Sequence, residues 1–317
     1  MKYRQIPYVD KPCSELIYGT AIPPYLDGGN GDEILEGVFS LGINFIDTAR
    51  NYKLAEKSVG HWFETYGHRD EVVLLTKCAH PEDGRKRVSE KDIREDYAVS
   101  REYLHTDYFD VYLLHRDDPE VPAGTIVEIM NALHAEGKIG AFGGSNWTHH
   151  RIEEANEYAY KHDLIPFSVS SPNFSLAHQA GDPWGWGTVT ITGDENRDAR
   201  EWYKANQMPV VAYSSLARGL FSGRLKSTDY GRAAELLDEA AFKGYAYPEN
   251  FEKLARCEEL AAKKGCSVTD IALNWLYRQN INVFAVVSSN NPDRMKQNIA
   301  AIDLALSPEE LDYLTNG

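Results

Sequence analysis

Eight short apolar runs recur along this chain, and a segment with helical patterning follows each of them. The runs are Glu15–Gly19, Asn44–Asp47, Val72–Lys77, Phe109–His115, Ile139–Gly144, Phe167–Ser171, Pro209–Ser214 and Val283–Val287. Runs this short, bounded by turn residues, suit buried parallel strands. The intervening segments carry apolar residues at helical spacing: Ile34, Leu35, Val38, Phe39 and Leu41 form one stripe, and Phe251, Leu254, Ala255, Ala261 and Ala262 another. Ser89 with Asp92, Ser267 with Asp270, and Ser307-Pro308-Glu309-Glu310 read as helix starts, because a hydroxyl at the N-cap and a carboxylate three residues on satisfy orphan N–H groups reciprocally. Gly137 reads as the stop of a helix begun near Thr125. Strand followed by helix, eight times, predicts a (β/α)8 TIM barrel, with residues 1–317 as one domain. Two connections are long, Pro172 to Asp194 and Leu216 to about Pro248, and in a barrel they project as loops from the C-terminal face of the strands.

Each run ends in a polar residue or glycine: Gly19-Thr20, Asp47, Lys77, His115, Ser145-Asn146, Ser171, Tyr213-Ser214 and Ser288-Ser289. Barrel active sites are built at strand C-termini, so these ends are predicted to converge on one pocket. Tyr52 lies five residues past Asp47 and joins them. A carboxylate, a phenol, an ammonium and an imidazole are the parts for protonating a carbonyl oxygen. A free phenol, with a pKa near ~10, is a reluctant acid. Lys77 is expected to lower that value by stabilising the phenolate, Asp47 to hold Lys77 protonated, and His115 to hydrogen-bond the carbonyl. Reduction also needs a hydride, which no side chain supplies, so a nicotinamide cofactor is implied. Taken singly, Asp47 and Lys77 also fit an interior ion pair, Tyr52 fits packing, and His115 fits a core histidine; joint placement argues for catalysis.

Net charge of −15 argues against nucleic acid or an anionic membrane as partner. No apolar run approaches ~18 residues and MKYRQIPYVDKP is no signal peptide, which predicts a cytoplasmic protein. Cys13, Cys78, Cys257 and Cys266 are widely spaced and read as reduced structural thiols; Cys78, next to Lys77, is expected to face away from the pocket. No GxGxxG or GxxxxGK[ST] follows a strand, and Gly28-Gly29-Asn30-Gly31 reads as a flexible connection.

In order and spacing, GINFIDTARNY, LLTK, YLLHRDDP, AFGGSNW, VAYSSLARGLFSGR and VVSSNNPDRMKQN resemble segments of the aldo-keto reductases, over nearly the whole chain. The resemblance implies a barrel that uses NAD(P)H without a Rossmann domain. It assigns Asp47, Tyr52, Lys77 and His115 to catalysis and Ser145 and Asn146 to the nicotinamide carboxamide. Tyr213 is assigned to stacking on the nicotinamide ring, Ser214, Leu216 and Gly219 to the pyrophosphate, and Ser288, Ser289, Arg294, Gln297 and Asn298 to the adenosine phosphate. Gly19, Thr20 and Asp47 complete the cofactor-facing set. The chain departs from many relatives at three places: Ser171 stands for a glutamine, leaving part of the amide contact to Asn173 or a water; Phe174 stands for a tyrosine; Ser288 stands for a lysine that pairs with the 2′-phosphate. Arg294 remains to grip a phosphate, so NADP(H) is favoured, with NAD(H) as a second cofactor.

For the substrate, a small carbonyl or alcohol compound, Tyr25, Trp147, Trp184 and Trp186 are candidates, with Phe221 beside them; the two tryptophans of DPWGWG fit either a cap over a ring or an anchor for their loop. Oligomeric state is not legible. Three other classes compete: an accessory subunit that senses cofactor redox state, a Schiff-base lyase using Lys77, and a metal-dependent hydrolase using His115, Asp117 and Asp47. The absence of HxH after an early strand argues against the last, so no metal is expected.

Overall fold

A computed structural model describes residues 1–29 and 31–317; Asn30, in the glycine-rich connection, lies outside the described residues. The eight runs form β1 (Leu16–Gly19), β2 (Phe45–Asp47), β3 (Val73–Cys78), β4 (Phe109–Leu114), β5 (Ile139–Ser145), β6 (Val169–Ser171), β7 (Val210–Ala212) and β8 (Val283–Val287). All neighbours are parallel, and β8 pairs with β1 to close the barrel. The ring of helices comprises α1 (Asp32–Ser40), α2 (Ala55–Tyr66), α3 (Glu90–Leu104), α4 (Ala123–Ala135), α5 (His149–Lys161), α6 (Arg197–Asn206), α7 (Pro248–Lys264), α8 (Val268–Tyr277), α9 (Pro292–Ala300) and α10 (Pro308–Asn316). The predicted (β/α)8 barrel is therefore the observed fold.

Strand alternation splits the apolar side chains into two layers. Ile17, Phe45, Leu75, Leu113, Val169 and Phe284 point into the barrel, while Leu16, Ile46, Leu74, Leu114 and Phe142 face the helices. Phe45 and Phe284 meet edge-to-face across the interior at 6.1 Å. Truncating Phe284 to alanine would remove that contact and cost about 3–5 kcal/mol. The barrel floor is sealed by a hairpin too short to be read from the sequence: Tyr3–Arg4 pairs with Cys13–Ser14, and Ile6, Val9 and Cys13 join the interior cluster. Cys78 belongs to the outer layer, as its parity requires, and all four cysteines are unpaired.

Helix ends follow the capping chemistry. Ser267 with Asp270 and Ser307 with Glu310 form reciprocal boxes, and the Ser89 hydroxyl accepts from Asp92 N. Gly137, at φ +71°, turns the chain after α4. The α7 stripe differs from expectation: Ala255 and Ala262 are exposed, and the buried line runs through Phe251, Leu254, Cys257, Leu260 and Ala261.

Both long connections lie over the strand C-termini and fasten to each other. The segment 172–193 has almost no regular structure, whereas 213–247 contains short helical turns and the helix Glu239–Tyr245. Asn173 Nδ2 donates to Tyr245 Oη (2.9 Å), Ala180 N to Gly244 O (2.9 Å), and Tyr245 Oη to Gln179 Oε1 (3.2 Å). No described helix is long and apolar enough to cross a membrane.

Candidate active site

The inward parity that places Leu75 and Leu113 in the barrel core carries on, one step up, to polar side chains. Asp47 ends β2, Lys77 is the penultimate residue of β3, and His115 stands one residue past β4. Lys77 Nζ donates to Asp47 Oδ1 and, at 2.9 Å, to Thr48 O. Lys77 Nζ lies 5.1 Å from the Tyr52 ring centroid, and the Tyr52 ring meets the His115 ring edge-on at 5.7 Å. All four candidate catalytic residues are thus in one contiguous cluster. His80, in the loop after β3, adds its ring to His115 at 5.0 Å, edge-on.

Burial sets the electrostatics here. It pulls the Lys77 ammonium down, but Asp47 and Tyr52 outweigh it and hold Lys77 above the usual lysine value. Burial pushes the Asp47 carboxyl up against the pull of Lys77. Burial also raises the Tyr52 phenol, and the charge of Lys77, which acts in the opposite sense, does not cancel it. The expectation that Lys77 brings Tyr52 below the free phenol is therefore corrected: desolvation wins. Burial, then the charges of Lys77 and Arg116, drives the His115 imidazole well below its usual value. The site holds an ion pair, a protonated phenol and a neutral imidazole. His115 Nδ1 is buried with no partner among the described residues.

Next to this cluster, Ser145 Oγ donates to Ser171 O (2.9 Å). Asn146, held at φ +59°, is fully engaged: Nδ2 donates to His115 O and Ser145 Oγ, and Oδ1 accepts from Val189 N and from Tyr213 Oη (2.8 Å). Ser171 Oγ is buried without a partner among the described residues. An orphaned buried hydroxyl at a strand end fits the amide of a nicotinamide, because a buried donor or acceptor left unmade is costly. Tyr213 Oη would change partners for its ring to lie flat under such a ligand.

The segment expected over a pyrophosphate forms a tight turn: Ser214, Ala217 and Arg218 have φ near +50° and Gly219 has φ +106°. Farther round the rim, Ser288 Oγ donates to Gly19 O (2.7 Å), so this hydroxyl ties β8 to β1. Gly19 needs its bare Cα, since a Cβ there would sit 2.7 Å from that oxygen. Thr20 Oγ1 donates to Asp47 O, and Ser289 takes a bond from Tyr18 Oη on its carbonyl. Arg294 and Gln297 are exposed on α9, and Arg294 has no carboxylate partner among the described residues; Asn298 is buried against Met295. Leu216 is half-buried at the turn.

Of the substrate candidates, the structure places two away from the mouth. Tyr25 is fully buried in the outer layer, with its ring edge-on to Tyr18, and Trp147 packs on Phe167 in the same layer; Phe221 is buried there too. Trp184 meets the Tyr213 ring edge-on at 5.8 Å and carries the Arg218 guanidinium over its ring, also at 5.8 Å, while Trp186 is 46% exposed. His80, Arg116 and Tyr245 are the site neighbours that sequence reasoning missed. Arg116 was signalled by its position beside His115, but strand alternation assigns it to the outer face. Among the described residues no three His, Cys, Asp or Glu side chains are arranged to hold a metal ion, and Asp117 is paired with Arg151 at 3.2 Å.

A family model described as "Aldo/keto reductase family" matches residues 15–316. The chain is 27% identical over 312 residues to an aryl-alcohol dehydrogenase (NADP+) of Phanerodontia chrysosporium, covering 90% of this chain and 74% of that protein. It is 26% identical over 294 residues to an NADH-specific methylglyoxal reductase of Escherichia coli (strain K12), covering 87% and 83%. Its fold is similar to that of the glycerol dehydrogenase AKR11B4 from Gluconobacter oxydans, with TM-score 0.77 at 24% identity over 98% of this chain and 93% of that one.

Proposed function

Because this chain belongs to the aldo/keto reductase family, we propose that Tyr52 is the acid that protonates the substrate oxygen, with Asp47, Lys77 and His115 as its supporting groups. The protein is an NAD(P)H-dependent oxidoreductase that interconverts a carbonyl compound and its alcohol. The observation that carries the assignment of roles is the convergence of Tyr52 on both Lys77 and His115 at the barrel mouth.

A nicotinamide, when bound, supplies the hydride that reaches the carbonyl carbon. His115, neutral through burial, donates a hydrogen bond to the carbonyl oxygen and holds it against Tyr52. As negative charge develops on that oxygen, the Tyr52 proton moves onto it, and the phenolate left behind is stabilised by the Lys77 ammonium. Asp47 keeps Lys77 charged, so the site starts each reduction with the proton on Tyr52 and the positive charge already in place. An ammonium held in this way is a poor nucleophile, which favours reduction over Schiff-base chemistry at Lys77. In the oxidative direction the Tyr52 phenolate accepts the alcohol proton.

Ser171 is the free hydroxyl for the carboxamide, with Ser145, Asn146 and Tyr213 around it. NADP(H) is the preferred cofactor in this reading, supported by the unpaired Arg294 guanidinium and by the relative named for NADP+; the NADH-specific relative keeps NAD(H) in contention. Side-by-side titration of the protein with NADPH and NADH, followed by tryptophan fluorescence, tests it, since Trp184 lies against Tyr213. Saturable binding, followed by nucleotide-dependent turnover of simple aldehydes, is expected. A folded protein that bound neither nucleotide would overturn the reading.

A further inference from the structure

Arg116 follows His115 directly and is only 5% exposed. Its one hydrogen bond among the described residues goes to the preceding carbonyl, Nη1 to His115 O at 2.9 Å, an oxygen that also accepts from Asn146 Nδ2. Its Nε is buried with no partner among the described residues. No carboxylate among the described residues lies within ion-pair distance of the guanidinium, whereas the neighbouring Arg151 pairs with both Asp117 and Glu154. Asp182, on the long connection after β6, is the acidic group whose charge reaches Arg116, but its carboxylate is spent on Gly187 N, Thr188 N and Thr188 Oγ1. Lys77, the other nearby cation, is already neutralised by Asp47.

A buried guanidinium without a counter-charge is expensive, and leaving its N–H groups unmade adds to the cost. The guanidinium stands at the reacting end of the cleft because it bonds the His115 carbonyl alongside Asn146, and its charge is accordingly felt by Tyr52, Tyr213, His115 and His80. We propose that Arg116 is a specificity-determining residue that receives an oxoanion, a carboxylate or a phosphate, carried by the carbonyl substrate. The inference rests on the reductase reading and deepens it: the preferred substrates are small anionic aldehydes or ketones. A planar guanidinium with free N–H groups suits two parallel hydrogen bonds to such an anion. The surface at large, with net charge −15, repels anions, so the selectivity is local to this one side chain.

Two matched pairs of substrates test it: succinic semialdehyde against butanal, and D-glyceraldehyde 3-phosphate against D-glyceraldehyde. Within at least one pair the wild-type protein should favour the anion in kcat/KM. Arg116→Gln should lower that anion-to-neutral ratio about ten- to a hundred-fold, mainly through KM, and Arg116→Lys should restore part of it. The pair affected distinguishes carboxylate from phosphate. A ratio unmoved by Arg116→Gln in both pairs overturns the proposal, as does a loss confined to nucleotide affinity. Should no aldehyde of either kind be turned over, the reductase reading fails separately. Calorimetric titration of succinate and inorganic phosphate into protein saturated with NADP+ then decides: binding abolished by Arg116→Gln supports the anion site, and equal binding or none sinks it.

Discussion

The two ends of the candidate cleft are built differently. At the reacting end, Asp47, Lys77 and His115 stand at strand ends, nearly fully buried, and hydrogen bonds or ring contacts fix each of them. At the far rim, Arg294 and Gln297 are exposed on α9, and Ser288 spends its hydroxyl on Gly19 O. Strand ends locked into a closed sheet hold groups to the tolerances that proton transfer needs. An exposed helix offers charge without that constraint. The difference teaches that chemistry and nucleotide affinity should respond separately to mutation, one through turnover and the other through binding.

The sharpest way to break this separation is Tyr52→Phe. Turnover should fall by about 10²- to 10⁴-fold with nucleotide affinity nearly unchanged, as read by steady-state kinetics and fluorescence titration. Full activity in that variant would remove Tyr52 from the role of acid. Next in size is Lys77→Met, which leaves Asp47 buried without its partner; a loss of about 3–5 kcal/mol is expected in denaturant unfolding, together with a large fall in turnover. Little change in stability would mean that the pair is dispensable to the fold. At the rim, Arg294→Ala should weaken NADPH about ten-fold more than NADH, with kcat little altered. Equal weakening of both would detach Arg294 from the phosphate.

The smallest expected effect concerns pH. Burial holds the His115 imidazole well below its ordinary value of 6.5. The unfolded chain therefore binds the proton first, and stability is lost as pH falls below that value. His115→Gln should flatten this acid limb in melting curves recorded below about pH 6.5, while Arg294→Ala should leave it unchanged. An acid limb of equal slope in the wild type and His115→Gln would assign it to other groups.

Much of this arrangement was legible in the chain. Eight short apolar runs alternating with helical stretches gave the barrel, and because barrel sites form at strand C-termini, the polar residues that close those runs, Asp47, Lys77 and His115 among them, were placed together. That rule stops where the strand stops. β4 ends at Leu114, so strand alternation no longer governs Arg116, and its guanidinium, without an ion-pair partner among the described residues, went unseen. Aromatic residues gave a second failure: Tyr25 and Trp147 carry no sign of which layer they fill, and both went to the helix-facing core, where their large apolar area is removed from water. The balance at Tyr52 was also out of reach, since the charge of Lys77 is visible in sequence and the depth of burial is not. The floor hairpin escaped because two-residue strands have no period to detect.

That hairpin and the packed interior above it make the barrel mouth a blind well. With Ile6, Val9 and Cys13 sealing one end, everything that reacts must enter and leave past the loops at the other. A support or fusion partner attached through the N-terminal residues accordingly sits on the closed side, so immobilised protein presents its open mouth to the solution and traffic through it is unobstructed.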